Sequence, residues 1–305
     1  MNWRDLGDLS MESQVTVSPV SKTSIPGDTI VLSPTRIRRW VRCRKSYFWR
    51  YHRKLVRLHK EVPPTLGLVV GEALAGYYRI GDYRDQDLLD KSLEASLASN
   101  RPKFLEEVSD EKREKEWIKT QKLSGVLLSQ YHNWAFLKDN FRVLEVERPH
   151  QISLSPAVSL LAIPDTIVAL EEVPLILEHK VRYRYRPGDF GIDYQSVGSC
   201  LVSGAIGTLY NILEYSRPKF HREPIMRSEY ELNYFKSMFI FLGMDILNTP
   251  PEEMYPQPFK RCQCEYWELC QAEQSGLDIE DVIKELYMSS GPREPAKGGE
   301  KGEDE

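Results

Sequence analysis

The chain changes from helical to strand-like patterning at residues 158–182, which read VSLLAIPDTIVALEEVPLILEHKVR. Short runs of β-branched residues and leucine alternate here with proline and acidic residues, as expected of strands separated by tight turns. The preceding run 141–148, FRVLEVER, has the same character. We therefore expect three consecutive strands of one sheet, formed by residues 141–148, 158–170 and 174–182.

Helical patterns lie on both sides of this predicted sheet. Ser33 is a suitable N-cap and Pro34 a suitable first helical residue, which predicts a helix over residues 34–50. Apolar residues recur at helical spacing in further segments. These helices are expected from about residue 66 and over residues 86–100, 110–138, 193–215 and 226–247. Helices, a sheet and helices again predict an α/β fold with a helical N-terminal part.

Composition narrows the class of protein. The 305 residues are 41% hydrophobic and 28% charged, which is typical of a globular protein and excludes a wholly disordered or fibrous chain. No apolar run reaches the roughly 18–20 residues that would span a membrane. The first residues, MNWRDLGDLSMESQ, lack the apolar segment of a secretory signal, and the five cysteines are few and odd in number. We therefore expect a cytoplasmic protein with reduced thiols or a metal site.

Positive charge is concentrated near the N-terminus. Residues 36–60 contain 11 Lys and Arg and no Asp or Glu, although the whole chain has a net charge of −4. Five aromatic residues are interleaved with these cations, a pattern that suits a polyanion such as DNA. The alternative is a basic amphipathic helix whose aromatic side chains belong to the core. The candidate DNA-binding residues are Arg38, Arg39, Arg42 and Arg44 here, and Arg182 and Arg184 in the later run RYRYR. A simple exposed loop is the alternative for the later run.

Acidic residues and a lysine fall at the ends of two predicted strands. Asp165 lies in AIPDTIVAL, and Glu178 lies in LILEHKV two residues before Lys180. Strand alternation places Glu178 and Lys180 on one face and His179 on the other. If Asp165 lies at the same height on the neighbouring strand, two carboxylates and an ammonium group converge. Such oxygen ligands suit Mg²⁺ or Mn²⁺, and the lysine could orient a water molecule for attack on a phosphodiester. A solvated strand face is the alternative.

Two glutamates of FRVLEVER have two possible roles. Glu145 and Glu147 share one face of the predicted strand, so that one of them could approach the acidic pair. A solvated strand edge paired with Arg142 or Arg148 is the interpretation that we favour.

Three cysteines lie close together near the C-terminal end. Cys262, Cys264 and Cys270 occur in RCQCEYWELC, and Cys43 lies far away in the basic segment. Four thiolates could bind an iron–sulfur cluster or zinc and so fasten the two ends of the chain together. Coincidental thiols are the alternative. Cys200 lies among small and apolar residues in VGSCLVSGA and is interpreted as an ordinary buried thiol.

Together these features resemble one known family. The order of Asp165, Glu178-His179-Lys180 and Gln195, combined with the four cysteines, is similar to the RecB/Cas4-like exonucleases of the PD-(D/E)XK nuclease superfamily, in particular the phage-type members with iron–sulfur cysteines. The segment LSPTRIRRWVRCRKSYFWRY resembles the opening of that family. YHNWAFLKDNFRVLEVE resembles the helix and strand before its catalytic sheet. The resemblance covers roughly residues 31–272.

The resemblance implies a fold, a site and cofactors. The fold would be α/β with a PD-(D/E)XK restriction-endonuclease-like core, in which helices flank a central mixed sheet, with a helical N-terminal part and a cysteine-stapled C-terminal end. Asp165, Glu178, Lys180 and Gln195 would form the catalytic set. Asp165, Glu178 and the backbone carbonyl of His179 would bind Mg²⁺ or Mn²⁺. The ligands of a [4Fe–4S] cluster, or of Zn²⁺ in its place, would be Cys43, Cys262, Cys264 and Cys270.

This chain departs from the family pattern at three places. Gly71 stands in GLVVGEAL where the family usually has a histidine metal ligand. Glu72 is the candidate replacement, although one residue along a helix is about 100° of rotation. Ser199 stands where the family has a tyrosine after Gln195, and the first two C-terminal cysteines are spaced C-x-C in place of C-x-x-C. These departures affect the expected rate of DNA cleavage and the expected geometry of the metal site more than they affect the expected fold.

The implied function is a metal-dependent DNA nuclease, an exonuclease that hydrolyses phosphodiester bonds at DNA ends or in single strands during DNA processing, recombination or repair. We expect it to act in the cytoplasm, or in the host cytoplasm if the chain is phage-encoded, and not to bind a membrane. An iron–sulfur or zinc DNA-binding protein with little or no turnover is the alternative, and a zinc-linked structural module is a third. We expect disordered segments over 1–28 and 291–305, and one nuclease domain over 29–290 that comprises a mainly helical part (29–138), the catalytic core (139–250) and the cysteine segment (251–275).

Overall fold

The fold is known from a computed structural model, in which the described residues are 29–58, 66–79, 85–105, 111–256 and 264–289. The segments expected to be disordered, 1–28 and 291–305, lie outside the described residues, and so does Cys262. Within the described ranges, no helix combines the length and the apolar character needed to cross a bilayer.

Strands and helices occur in groups along the described chain, with three successive helices followed by five successive strands in its middle. The strands within the described residues are β1 (Ile30–Leu32), β2 (Leu55–Arg57), β3 (Arg142–Val146), β4 (His150–Ser155), β5 (Val158–Ala162), β6 (Thr166–Leu170), β7 (Val173–Arg182), β8 (Gly207–Glu214), β9 (Lys219–Met226) and β10 (Tyr287–Ser289). The α-helices there are α1 (Pro34–Arg42), α2 (Arg44–Tyr47), α3 (Leu66–Arg79), α4 (Gln86–Leu105), α5 (Glu111–Phe136), α6 (Tyr194–Ser203), α7 (Glu229–Asn248), α8 (Trp267–Gln274) and α9 (Ile279–Leu286).

A five-stranded mixed sheet with the order β3-β6-β7-β8-β9 forms the centre of the fold. Strands β7 and β8 are parallel, and the other neighbours are antiparallel. Helices α3, α4 and α5 pack against one face through apolar side chains that include Leu74, Leu89 and Leu128. Helix α6 packs against the other face, where Cys200 contacts Ile176. The predicted α/β fold, a central mixed sheet flanked by helices, is confirmed.

A second, three-stranded sheet has the order β1-β5-β4. The sequence predicts one continuous strand over residues 158–170, but the chain breaks between β5 and β6 at the segment that contains Pro164. Proline has no N–H for a ladder hydrogen bond, so it interrupts the strand, and β5 joins the second sheet. The prediction of three consecutive strands in one sheet is therefore wrong for β5, whereas β3, β6 and β7 are neighbours.

Two predicted helices differ from the observed elements: the first is interrupted, although helical turns continue to His52, and the second ends early. Cys43 has an extended backbone (φ −167°, ψ 114°), which separates α1 from α2, so residues 34–50 do not form one helix. Gly204 ends α6 with a left-handed backbone (φ 74°). The next residues form β8 in place of the predicted helix to residue 215. The prediction is wrong because a strand that is buried on both faces has a continuous apolar run, without the alternation that distinguishes a strand from a helix. The other predicted helices are confirmed as α3, α4, α5 and α7.

The N-terminal and C-terminal parts of the described chain are in contact. Strand β2 pairs with β10 in antiparallel orientation. A small apolar cluster beneath this pair contains Trp49 from the N-terminal part and Tyr266 and Cys270 from the C-terminal part. The Lys45 ammonium group lies 2.6 Å from the Glu273 carboxylate across the same contact. The segments that carry the predicted cysteine ligands are thus adjacent in space.

Candidate active site

The predicted acidic pair lies where β6 begins, beside the middle of β7. The register of these strands pairs Thr166 with Leu177, so that Asp165 lies beside Glu178. The backbone N–H of His179 donates a hydrogen bond of 2.9 Å to Oδ2 of Asp165. The two carboxylates therefore converge at the height that the strand pattern predicts.

Lys180 and Gln195 complete the cluster around Glu178. Lys180 Nζ and Gln195 Nε2 each donate a hydrogen bond of 2.6 Å to Glu178 Oε1. Lys180 Nζ also lies 3.4 Å from Gln195 Oε1. Gln195 lies in the first turn of α6, where the Asp193 carboxylate accepts the Gln195 N–H and so caps the helix. The cap fixes the start of α6 and directs Gln195 toward Glu178.

The environment of the two carboxylates disfavours their negative charge. Glu178 is only 1% exposed. Burial raises the pKa of Glu178, and the charge of Asp165 raises it further, whereas Lys180 lowers it. Burial also raises the pKa of Asp165, against the opposing effects of the His179 N–H and of Lys180. One lysine therefore compensates only part of the charge of a buried and a half-buried acid.

The donor set fits a divalent cation. Glu178 Oε2 is buried and has no hydrogen-bond partner among the described residues, although Oε1 of the same carboxylate has two. A cation bound to this oxygen and to Asp165 would remove the repulsion between the acids. In the described part of the chain, no group of three or more His, Cys, Asp or Glu side chains is arranged to hold a metal ion. Mg²⁺ suits such a site, because it keeps several water ligands and uses one or two carboxylates.

A cavity of about 250 Å³ opens beside the acidic pair and is lined by the whole predicted catalytic set. Gly71 of α3 also lines it, and a Cβ atom on Gly71 would meet no atom within 4 Å. There is therefore free space beside Gly71, where a histidine stands in the family that the sequence resembles. Glu72 lines the same cavity, but its Oε2 accepts hydrogen bonds from Ser96 (3.0 Å) and Asn100 (2.5 Å). These bonds hold the Glu72 carboxylate toward α4.

Glu147 reaches this cavity too, although the favoured interpretation of its sequence is a strand edge. It follows β3 with a left-handed backbone (φ 47°), which is uncommon for glutamate. Its N–H donates to the Asp165 carbonyl (3.0 Å), and its carboxylate accepts from Arg79 (2.9 Å). Glu145, in contrast, pairs with Arg148 as expected of a strand edge. The hydrophobic pattern does not reveal the left-handed turn that redirects Glu147.

The basic N-terminal segment is largely neutralised within the chain. Its aromatic residues Trp40, Tyr47 and Trp49 are fully buried, which agrees with the core interpretation for the rings. Three arginines predicted to bind DNA make ion pairs: Arg38 with Asp193 (3.1 Å), Arg39 with Glu265 (2.6 Å) and Arg44 with Asp245 (2.9 Å). Arg42 is exposed. Arg38 lies beside the active site, because its partner Asp193 caps α6.

A second group of arginines lies at the end of β7 and directly after it. Arg182 and Arg184 are exposed, and their guanidinium groups lie over the rings of Phe190 and Tyr183, at 5.4 and 5.7 Å from the ring centroids. The Tyr185 hydroxyl anchors the same loop by donating a hydrogen bond to β9. Stacking on rings restricts the guanidinium planes. The loop therefore presents two oriented cations close to the strand that carries Lys180.

Three of the predicted cluster ligands lie where the two ends of the described chain meet. Cys43 and Cys270 are buried, and Cys264 is half-buried. Arg39 donates hydrogen bonds to Ser46 (2.9 Å) and to Glu265 (2.6 Å), which belong to the two cysteine-bearing segments. The fourth ligand, Cys262, is outside the described residues, so the complete four-cysteine site stays a prediction.

Two further residues of α6 were singled out by the sequence. Cys200 is buried with its Sγ 3.6 Å from the Thr208 hydroxyl, and burial raises the pKa of its thiol to about 11. A neutral, buried thiol agrees with the interpretation as an ordinary core residue. Ser199, at the position of the family's tyrosine, is also buried.

The chain belongs to the PD-(D/E)XK nuclease superfamily, whose family model matches residues 31–271. A comparison with curated proteins gave no match. Among solved structures, a proposed exonuclease of Eubacterium rectale is similar with a TM-score of 0.49 and 12% identity, over 78% of this chain and 86% of that chain. An alkaline exonuclease of Laribacter hongkongensis is similar with a TM-score of 0.29 and 13% identity, over 46% of this chain and 84% of that chain.

Proposed function

We propose that this protein is a metal-dependent deoxyribonuclease, and specifically an exonuclease. The observation that carries the proposal is the convergence of Asp165, Glu178, Lys180 and Gln195 on one cavity, with an unpartnered carboxylate oxygen of Glu178. Stability alone would not favour a buried acid and a half-buried acid side by side with one lysine, because incompletely compensated buried charge costs free energy. Membership of the nuclease superfamily indicates the reaction class, which is hydrolysis of a phosphodiester bond.

Asp165 and Glu178, together with the backbone carbonyl of His179, would hold one Mg²⁺ or Mn²⁺ ion. A bound divalent cation supplies positive charge for the phosphate oxygens and lowers the pKa of a water molecule. Glu178 offers Oε2 for this purpose, since Lys180 and Gln195 already hold its Oε1. Glu72 and Glu147 line the same cavity, and we propose that they contribute through water molecules.

Lys180 is proposed to act on the scissile phosphate and the attacking water. Its side chain is 16% exposed, so it is largely withdrawn from solvent but open to the cavity. The acceptors Glu178 and Gln195 use two of its three donor positions, which leaves one N–H for a substrate oxygen. A fixed positive charge there stabilises the negative charge that develops in the transition state. Gln195 would hold the side chains of Glu178 and Lys180 in their relative positions, because it is hydrogen-bonded to both.

The shape of the site favours DNA ends and single strands over the interior of an intact duplex. The cavity has a volume of about 250 Å³, and Glu178, which lines it, is almost completely buried. We expect a single strand to bring its phosphate to a carboxylate in such a small cavity more readily than a continuous duplex does. Arg38 beside α6, and Arg182 and Arg184 after β7, would bind the flanking phosphates, and exposed Tyr183 offers a ring for base stacking.

We further propose that the chain is a RecB/Cas4-like member of the superfamily with a [4Fe–4S] cluster. The contact between the N-terminal and C-terminal parts supports this proposal, since it brings the segments of Cys43, Cys264 and Cys270 together. A cluster held by both segments would add its binding free energy to the stability of the fold. Zn²⁺ is the alternative occupant.

The experiment that tests the proposed function is cleavage of end-labelled single-stranded and double-stranded DNA with Mg²⁺, Mn²⁺ or EDTA. Circular single strands and covalently closed plasmid serve as substrates without ends. We expect mononucleotides or short products from linear DNA, no cleavage in EDTA, and little cleavage of the closed plasmid. Salt-dependent DNA binding without cleavage in either metal would instead favour a DNA-binding protein with little turnover. Cleavage of the plasmid as fast as of linear DNA would exclude the exonuclease assignment.

A further inference from the structure

A buried polar network lies behind the catalytic strand, on the face of the sheet opposite the acidic pair. Strand alternation directs the His179 side chain to this face. The strand register aligns His179 of β7, Asn211 of β8 and Arg222 of β9 in one row. The side chains that cover the row are Tyr78 of α3, Tyr131 of α5 and Asp139.

Hydrogen bonds and ring stacking connect the members of the network. Asn211 Nδ2 donates to His179 Nδ1 (2.8 Å) and to the Tyr131 hydroxyl (2.9 Å). The Tyr131 hydroxyl also accepts from Arg222 (3.0 Å) and lies 2.6 Å from the Tyr78 hydroxyl. The Tyr78 ring stacks on the His179 imidazole, with centroids 5.5 Å apart and planes 11° apart. The imidazole is therefore held both at its edge and on its face.

The His179 imidazole is neutral. Because Asn211 donates to Nδ1, that nitrogen carries a lone pair, and the ring hydrogen is on Nε2. Burial lowers the pKa of His179 to about 3, and the positive charges of Arg222 and Lys180 act in the same direction. The imidazole is therefore the acceptor of the hydrogen bond from Asn211.

Stability alone does not explain these polar residues. His179 Nε2 and Asn211 Oδ1 are buried and have no hydrogen-bond partner among the described residues. A buried polar atom without a partner loses its hydration without compensation. Arg222 and Asp139 form a buried ion pair, whose removal from water opposes folding. Apolar residues of the same shape would make a more stable layer at this position.

We propose that the His179 imidazole and Asn211 are positioning residues for the acidic pair on the other face of the sheet. The inference rests on the proposed nuclease function and deepens it. The connection is short, since the N–H of the same His179 donates to Asp165 Oδ2 at 2.9 Å. Fixing the side chain of His179 fixes the two peptide groups that flank its Cα. One of them holds Asp165, and the other carries the carbonyl proposed as a metal ligand.

The test replaces the hydrogen-bonded pair with apolar groups of similar shape, in the double variant His179→Phe/Asn211→Leu. This variant keeps a ring against Tyr78 and removes both unpartnered atoms, while Tyr131 keeps Arg222 as a donor. We expect an unchanged or higher melting temperature together with a loss of about 10–100-fold in kcat. The KM for DNA is expected to stay unchanged, because the phosphate-binding arginines are untouched.

Two measurements test the inference without turnover. In EDTA, the backbone amide of residue 179 is expected to exchange its hydrogen for deuterium at least about tenfold faster in the double variant than in the wild type, because its hydrogen bond to Asp165 is less well held. The affinity for Mn²⁺, measured by electron paramagnetic resonance, is expected to fall about tenfold. If wild-type protein binds Mn²⁺ but does not cleave DNA, the proposed function fails, and these two measurements still decide on the positioning role.

The matched control is His132→Phe. His132 pairs its Nδ1 with the Tyr77 hydroxyl at 3.1 Å inside the helical layer, so this variant breaks the same kind of hydrogen bond away from Asp165. Its kcat, His179 exchange and Mn²⁺ affinity should equal those of the wild type. If the double variant does not fold, the single variant His179→Phe is measured in the same way. A folded variant with wild-type kcat, exchange and Mn²⁺ affinity would overturn the inference.

Discussion

Replacement of Glu178 with glutamine is expected to stabilise the metal-free protein and to abolish its activity. Glutamine has the shape of glutamate but no charge, and its carbonyl oxygen can still accept from Lys180 and Gln195. The substitution therefore removes the repulsion from Asp165 and the cost of a buried charge. It also removes the carboxylate that we propose as a metal ligand.

The magnitude follows from the pKa of Glu178, which burial and then Asp165 raise from 4.5 to about 8, against the effect of Lys180. Between these pH values the folded protein binds a proton that the unfolded chain releases, so the free energy of unfolding falls as the pH rises from 4.5 to 8. A shift of this size corresponds to at most about 5 kcal/mol. Since glutamine loses two charge-assisted hydrogen bonds, we expect a net gain of about 1–3 kcal/mol at pH 8 and almost none near pH 4.5.

The assay is urea unfolding of the wild type and of Glu178→Gln in EDTA at pH 5, 7 and 8, repeated with excess Mn²⁺. Mn²⁺ should stabilise the wild type by about 2.7 kcal/mol at 100 times its dissociation constant, and should stabilise the variant much less. Glu172→Gln, at a residue whose side chain is 83% exposed, is the control and should show neither effect. A Glu178→Gln variant that is less stable than the wild type at pH 8 in EDTA would refute the electrostatic description of the site.

Three further predictions address the catalytic lysine, the arginine loop and the cysteines. Lys180→Ala should fold and bind DNA like the wild type while its cleavage rate falls by several orders of magnitude in single-turnover assays, because the lysine acts in the transition state; undiminished cleavage would exclude this site. Changing Arg182 and Arg184 to glutamine should reduce the slope of log K against log[salt] by about 1.4 on single strands, and an unchanged slope would remove them from the DNA path. Protein purified without oxygen should be brown, with absorbance at about 400 nm and about four irons per chain, and Cys43→Ser should lose iron as completely as Cys270→Ser; a colourless protein with one zinc would replace the iron–sulfur assignment.

The convergence of Asp165, Glu178 and Lys180 could be predicted from the sequence because its signals are local. Glu178 and Lys180 belong to one strand, and the period of two places them on one face whatever the rest of the fold does. Asp165 precedes the neighbouring antiparallel strand, and a short connection limits the register in which the two strands can pair. Both facts follow from the spacing of charged residues around apolar runs.

Other parts of the site depend on information that the local pattern does not contain. β8 is buried on both faces and lacks alternation, so residues 207–214 are consistent with a helix. Without β8 and β9, Asn211 and Arg222 have no predicted neighbours, and the network behind His179 stays hidden. Glu147 is missed for a different reason, since one left-handed residue changes the direction of its side chain without a change in hydrophobic pattern.

The three consecutive residues Glu178, His179 and Lys180 illustrate how one strand can separate two requirements of a nuclease. Glu178 and Lys180 face the cavity, where the buried charge of Glu178, which Lys180 compensates only in part, lowers the stability of the metal-free fold. His179 faces the helical layer, where its charge is suppressed and its ring is held by Asn211 and Tyr78. Because the peptide groups between them are shared, rigidity on the buried face is transmitted to the reactive face over a single residue. Both faces of β7 thus carry residues that lower the stability of the fold: Glu178 supplies charge on the cavity face, and His179 supplies a fixed position on the opposite face.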